Sequence, residues 1–195
     1  MPPRSRELTK QATRNALIAA GIHELGAHGL DVSQEVICAR AKRTRGAFYV
    51  HFADRDAFIV AVMEHVLGGF IATLTSSSAD VRTSIRLFAE AVRRRLPVVA
   101  GGSKLRFHHI LEACRRSRVI GDAYRGVVAT ATTSLVAAIQ RDQSAGRVRR
   151  ELDPETVAQQ MVVTVLGMLA VTELDLPIEI DRIEQALLDA IKLAV

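Results

Sequence analysis

Residues 33–58 read Ser33-Gln34-Glu35-Val36-Ile37-Cys38-Ala39-Arg40-Ala41-Lys42-Arg43-Thr44-Arg45-Gly46-Ala47-Phe48-Tyr49-Val50-His51-Phe52-Ala53-Asp54-Arg55-Asp56-Ala57-Phe58. Ser33 is a good N-cap for a short helix running to Ala41. A few residues later a second short helix takes Thr44 to Phe52, and Ala53-Asp54 opens a third that carries Phe58, Val62 and Val66 at i, i+4, i+8. Two short helices joined by a tight turn make a helix-turn-helix, whose second helix can enter the DNA major groove. Residues 40–45 place four cations, Arg40, Lys42, Arg43 and Arg45, at that turn with no acid among them. An arginine at the start of the second helix can read guanine O6 and N7 together. Phe48 and Phe52 share a face suited to a small three-helix core, which turns Tyr49 outward with its hydroxyl available to a phosphate.

The pattern on either side is helical throughout. Thr9 to His28 keeps Leu17, Ile18, Ile22 and Leu25 on one face, with Gly29 as the stop. Gly21 and Gly26 inside it each cost about 1 kcal/mol relative to alanine and point to close packing of another helix. Thr75-Ser76-Ser77-Ser78-Ala79-Asp80 is the clearest linker, which sets the boundary between Phe70 and Asp80. Beyond it come a helix from Asp80 to Leu96 ending before Pro97, the spacer Gly101-Gly102-Ser103, and a helix carrying Leu105, Ile110, Leu111 and Cys114. A long helix with Ile120, Tyr124, Val127, Ala131, Leu135 and Ile139 stops at Gly146. Asp153-Pro154 starts the next, and Ile183, Leu187, Ala190, Ile191 and Ala194 line the last. The expectation is an all-α chain of about nine helices: a helix-turn-helix domain over 1–72 and a helical bundle over 80–195.

Composition bounds the function. The 195 residues carry 26 Lys+Arg against 21 Asp+Glu, net +5, with a pI near 9.8; this permits a nucleic-acid partner without requiring one. Cys38 and Cys114 are far apart and form no CxxC pair, which fits a reducing cytoplasm. Met161 to Val171 is the longest apolar run. Its 11 residues fall short of the roughly 20 that span a bilayer, so it reads as a buried helix. No phosphate loop, HExxH or GxSxG is present, so neither an enzyme nor a cofactor is implied. The adjacent His108 and His109 point about 100° apart on a helix and cannot share a metal, and no metal site is expected. The arginines at 93–95 and 115–118 are as well explained by solvated helix ends.

Residues 9–64 resemble the DNA-binding domain of the tetracycline-repressor (TetR) family of bacterial transcription regulators. The likeness rests on Leu17, Ala20 and Leu25 before Gly29, on Ile37 and Ala41, and above all on Gly46-Ala47-Phe48-Tyr49-Val50-His51-Phe52 followed by Asp54-Arg55-Asp56-Ala57-Phe58. There are departures. Lys42 and Arg43 replace the usual glycine and small apolar residue, and a lysine in the left-handed conformation costs about 1 kcal/mol. Arg55 replaces a lysine, and Glu24 an apolar residue, which implies a less completely packed first helix. The resemblance implies that Thr44, Arg45 and Gly46 begin the recognition helix, with Tyr49, His51 and Arg55 on phosphates; Ser33, Lys42 and Arg43 complete the candidate DNA contacts.

The resemblance further implies a ligand-responsive regulator, a repressor acting as a homodimer on a palindromic operator in double-stranded DNA. Its small-molecule effector would bind the C-terminal domain, where Phe88, Phe107, His108, Leu111 and Tyr124 are the candidate contacts. The rivals are a ligand-independent DNA-binding protein and an all-helical adaptor or enzyme. The helices at about 154–174 and 179–194 are expected to form the dimer through Met161, Val165, Met168, Leu169, Ile183, Leu187 and Ile191. The run from Met161 to Val171 is apolar on every side and needs a cover that one domain does not supply.

Overall fold

The computed structural model describes residues 3–74, 80–93 and 106–191. The linker at 75–79, Arg94, Arg95, Leu96-Pro97, Gly101-Gly102-Ser103, Leu105 and Ala194 lie outside the described residues. Among the described residues there are nine α-helices and no strand: α1 (Pro3–His28), α2 (Gln34–Arg40), α3 (Arg45–His51), α4 (Arg55–Leu74), α5 (Val81–Arg93), α6 (Phe107–Arg116), α7 (Arg118–Ser144), α8 (Pro154–Glu173) and α9 (Ile180–Ile191), with one 3-10 turn at Gly29–Asp31. The chain is all-α. The first helix begins six residues before the expected Thr9, at Pro3, a residue whose missing N–H costs nothing at a helix start.

The local signals account for the boundaries. The Ser33 hydroxyl accepts from the Val36 N–H, Thr44 from Ala47 and Asp153 from Thr156, each the side-chain cap its helix needs. Gly29 and Gly146 take positive φ, at 73° and 68°, where α1 and α7 end.

The residues gather into two compact units that do not follow chain order. The first holds α1, the 3-10 turn, α2, α3, α4 to Leu67, α6, and α7 to Tyr124; the second holds the remainder. In the first, Phe48, Phe52 and Phe58 form a ring cluster with centroids 5.0–5.3 Å apart. Leu17, Ile18, Leu25 and Ile37 are buried alongside. Gly21 lets α4 come close: a Cβ there would lie 2.3 Å from the Phe58 ring.

In the second unit α5 packs on α8 and α9. Its larger cluster includes Val81, Ile85, Ile139, Val148, Ala158 and Leu188. The buried carboxylate of Asp142 ties it together, accepting from the Val81 N–H at 2.8 Å and from Arg147 Nη2 at 2.6 Å.

Helix α8 departs from expectation. Over its full 20 residues it is long and apolar enough to cross a membrane by length and composition, yet it is capped by Asp153 and contributes Val157, Ala158, Met161 and Met168 to the cores. Only 22% of its most apolar window is buried within the chain. The reading as a buried helix therefore holds for one side only.

Candidate nucleic-acid interface

The face of the recognition helix follows from helical spacing. With Phe48 at 0% exposure and Phe52 at 3%, α3 is rotated so that Arg45, Gly46, Tyr49 and Val50 all point out. Gly46 is not required by the protein's own packing: a Cβ there would meet only Thr44 Oγ1, at 3.8 Å. It leaves the first turn of α3 low enough for close approach by another molecule.

The turn before α3 is the one the sequence suggested. Lys42 adopts φ 54°, the left-handed conformation that glycine adopts without strain. Its carbonyl accepts from Arg43 Nη1 at 2.9 Å, and both side chains are exposed.

Three expected contacts are engaged within the protein. The Tyr49 hydroxyl is not free: it donates to Gln34 Oε1 at 3.0 Å. Arg45 Nη1 lies 3.0 Å from Glu35 Oε1 on α2. Arg55 donates to the Leu30 carbonyl and is half-buried, so it fastens the 3-10 turn to α4 rather than standing out as a free cation. His51 is also half-buried. Burial first, then the charges of Lys10 and Arg14, hold its imidazole below the usual range, so near neutral pH it is uncharged.

That last fact exposes a group the sequence reading missed. Lys10 and Arg14 on α1 lie close enough to act on His51, and the Arg14 guanidinium sits 5.4 Å from the Phe52 ring centroid. The N-terminal half of α1 thus adds two cations beside the C-terminal end of α3. Nothing in one sequence brings residue 10 to residue 51; the only hint was their cationic character.

Glu24 is the other surprise. An acid at an apolar position leaves no packing gap: it is buried and paired with Arg40 of α2, with His23 Nδ1 at 3.3 Å and His28 Nε2 at 3.4 Å. The Arg40 hydrogen bond holds its carboxyl below the usual range against the opposing effect of burial.

The expected effector contacts are divided between the two units. Phe88 is buried in the second unit against Val92 and Met168. In the first unit, Leu111 is exposed on α6, and Tyr124 on α7 is half-buried, its phenol pushed up by burial. Phe107 is half-buried, while His108 lines an open groove with Gly26, His28, Gly29, Arg106 and His109. The His108 and His109 rings do not diverge; their centroids are 4.1 Å apart.

Of the expected dimer residues, Met161, Met168 and Ile191 are buried in the unit's own cores, with Leu187, Val165 and Ile183 packed against those cores and Leu169 half-buried. Val163, 68% exposed, and Gly167 face outward on α8, and Leu174, just past its C-terminal end, is 70% exposed. The run from Met161 to Val171 is apolar all round, so its spacing gives no register for these faces.

The helix-turn-helix with its outward basic face defines a class, the all-helical DNA-binding regulators. Comparison with solved structures narrows it. SmeT, the repressor of the Stenotrophomonas maltophilia multidrug efflux pump SmeDEF, is 27% identical, with a TM-score of 0.64 over 92% of this chain and 88% of its own. A SmeT–triclosan complex gives 27% and 0.65 over 91% and 88%. Reduced Escherichia coli NemR matches at 18% identity and a TM-score of 0.77, over 94% of this chain and 99% of its own. No family sequence model matches the chain, and no curated protein matches it in sequence. The fold is that of solved TetR-family transcription regulators, such as one from Haloarcula marismortui, 15% identical with a TM-score of 0.73 over 93% of this chain and 98% of its own.

Proposed function

We infer that this chain is a repressor that binds a palindromic operator as a homodimer in the cytoplasm, and releases it when a small molecule binds. Residues 1–72 serve DNA and residues 80–195 serve effector binding and dimerisation. The observation that carries the DNA reading is the outward face of α3: Arg45, Gly46 and Tyr49 exposed on a helix locked in place by Phe48 and Phe52. Around it stand Lys42, Arg43, Lys10 and Arg14 for phosphates, with His51 offering one neutral N–H. Ser33 and Thr44 act as helix caps that bring two helix N-termini to the same surface.

Repression and a small-molecule effector are supported by the likeness to SmeT, a repressor whose solved structures include a complex with triclosan. The dimer is supported by the uncovered stripe on α8, which a symmetric copy would bury. Release would then be a coupling free energy. Effector favours a dimer geometry in which the two α3 helices no longer match successive major grooves about 34 Å apart.

Selection of binding duplexes from a random-sequence library tests the reading. Enrichment of an inverted repeat is the expected result; recovery of unenriched sequence overturns it.

A further inference from the structure

Glu35 belongs to no expected contact set, yet it is exposed beside the start of α3. It occupies the first turn of α2, where its carboxylate accepts from its own backbone N–H and from the Ser33 hydroxyl; these two bonds, in that order, hold it below the usual carboxylate range and keep it charged. Arg45, at the start of α3, is 3.0 Å away. One turn further along α3, the Tyr49 hydroxyl donates to Gln34 Oε1 on α2 at 3.0 Å. The pairs Glu35–Arg45 and Gln34–Tyr49 thus tie two helices together across the face that the proposed function turns toward DNA.

An unrestrained surface arginine beside a duplex takes the nearest phosphate, the strongest acceptor in reach. Arg45 is restrained. A guanidinium carries five N–H donors, and the ion pair with Glu35 leaves part of that fork unused. Arg45 remains 60% exposed, so the unused part faces outward. A phosphate approaching it must also approach the Glu35 carboxylate, well within a Debye length, and is repelled. A guanine edge presents O6 and N7 without net charge and meets no such penalty.

We propose that Glu35 is a specificity-determining positioning residue, which fixes the Arg45 guanidinium for a guanine edge and denies it to phosphates. The proposal rests on the DNA-binding reading above. It also assigns Gln34 and Tyr49 a shared role, a second bond between α2 and α3 that keeps Glu35 and Arg45 in register.

The test uses the full chain and the duplex that the wild type selects from a random library. Affinities of wild type, Glu35→Gln, Glu35→Asp and Arg45→Ala are measured for that duplex, for versions with each G·C pair replaced in turn, and for a mixed-sequence duplex, across a range of salt. Arg45→Ala identifies the base pair that Arg45 reads. In Glu35→Gln the penalty for replacing that pair falls about tenfold, while binding to mixed sequence tightens about fivefold per protomer, as expected on removing a like charge at contact distance in water. The salt slope steepens by about one per protomer as Arg45 turns to a phosphate. Glu35→Asp keeps the charge on a shorter arm and restores the wild-type salt slope. Loss of a merely structural contact would weaken specific and mixed-sequence binding together and leave the slope alone. An unchanged penalty in Glu35→Gln, or mixed-sequence binding that weakens with specific binding, overturns the proposal and leaves the DNA reading intact. If Arg45→Ala abolishes no penalty, the base-reading role of Arg45 falls and the proposal with it.

Discussion

Arg40 on α2 closes over Glu24 on α1, pairing a half-exposed guanidinium with a buried carboxylate. This contact holds the first two helices of the DNA-binding unit together, and it makes their stability depend on pH. Glu24 is depressed below its ordinary 4.5, first by the Arg40 hydrogen bond, then by the charges of Arg40, His28 and His23. A depressed acid stabilises the fold fully above its unfolded value, and the contribution is lost as pH falls through the lower folded value. Arg40→Gln removes the largest depressing cause and leaves burial, which acts the other way. We predict a loss of about 2 kcal/mol at neutral pH and an acid transition displaced to higher pH, read by thermal unfolding between pH 3 and 7. Equal acid transitions in the two proteins would remove Glu24 from the account.

Lys42→Gly separates stability from binding. At φ 54° the lysine carries a strain that glycine relieves, offset in part by the greater freedom of glycine in the unfolded chain, for a net gain of about 0.5–1 kcal/mol. The same change deletes a cation from the turn. The variant should unfold at higher denaturant concentration and bind every duplex more weakly, with a shallower salt slope.

Gly21→Ala sets helix propensity against space. Alanine gains about 1 kcal/mol in a helix. Its Cβ would sit 2.3 Å from Phe58 Cζ and 3.0 Å from Val62 Cγ2, and overpacking a tight core costs about 1–3 kcal/mol. Phe58 is 1% exposed, so the ring has little room to retreat. Net destabilisation is expected in chemical denaturation; a more stable variant would show that the α1–α4 contact yields easily.

The caps and turns of this fold were legible because they are local. Ser33, Thr44 and Asp153-Pro154 announce helix starts within four residues, and Lys42 sits where a tight turn demands positive φ. The core face of α3 was legible too, since Phe48 and Phe52 are one turn apart. What stayed hidden depends on contacts between elements. Glu35 and Arg45 are ten residues apart on different helices, Lys10 and Arg14 approach His51 from the far end of α1, and Arg55 turns inward to the Leu30 carbonyl. For α8 the difficulty was register: a helix apolar on all sides shows that it is covered without showing by what.

The two faces of α8 should answer differently to charge. Val163→Arg places a cation on the exposed stripe, where the single chain has room for it. Met168→Arg forces one into the cluster with Phe88 and Val92. Sedimentation at about ten micromolar, well above the range of a specific dimer that buries a standard interface, should show a folded monomer for the first variant. The second should lose helicity. A monomeric wild type would refute the dimer and its two half-sites.

The central claim, that the outward face of α3 reads DNA as one half of a pair, is tested most directly by titrating the wild type against its selected duplex and a mixed-sequence duplex while salt is varied. With about six to ten phosphate contacts from two protomers, affinity should fall by about a thousandfold or more between roughly 50 and 200 mM salt. The selected duplex should hold an advantage of about a thousandfold at the upper end. Affinity flat across that range, or equal for the two duplexes, would contradict the account.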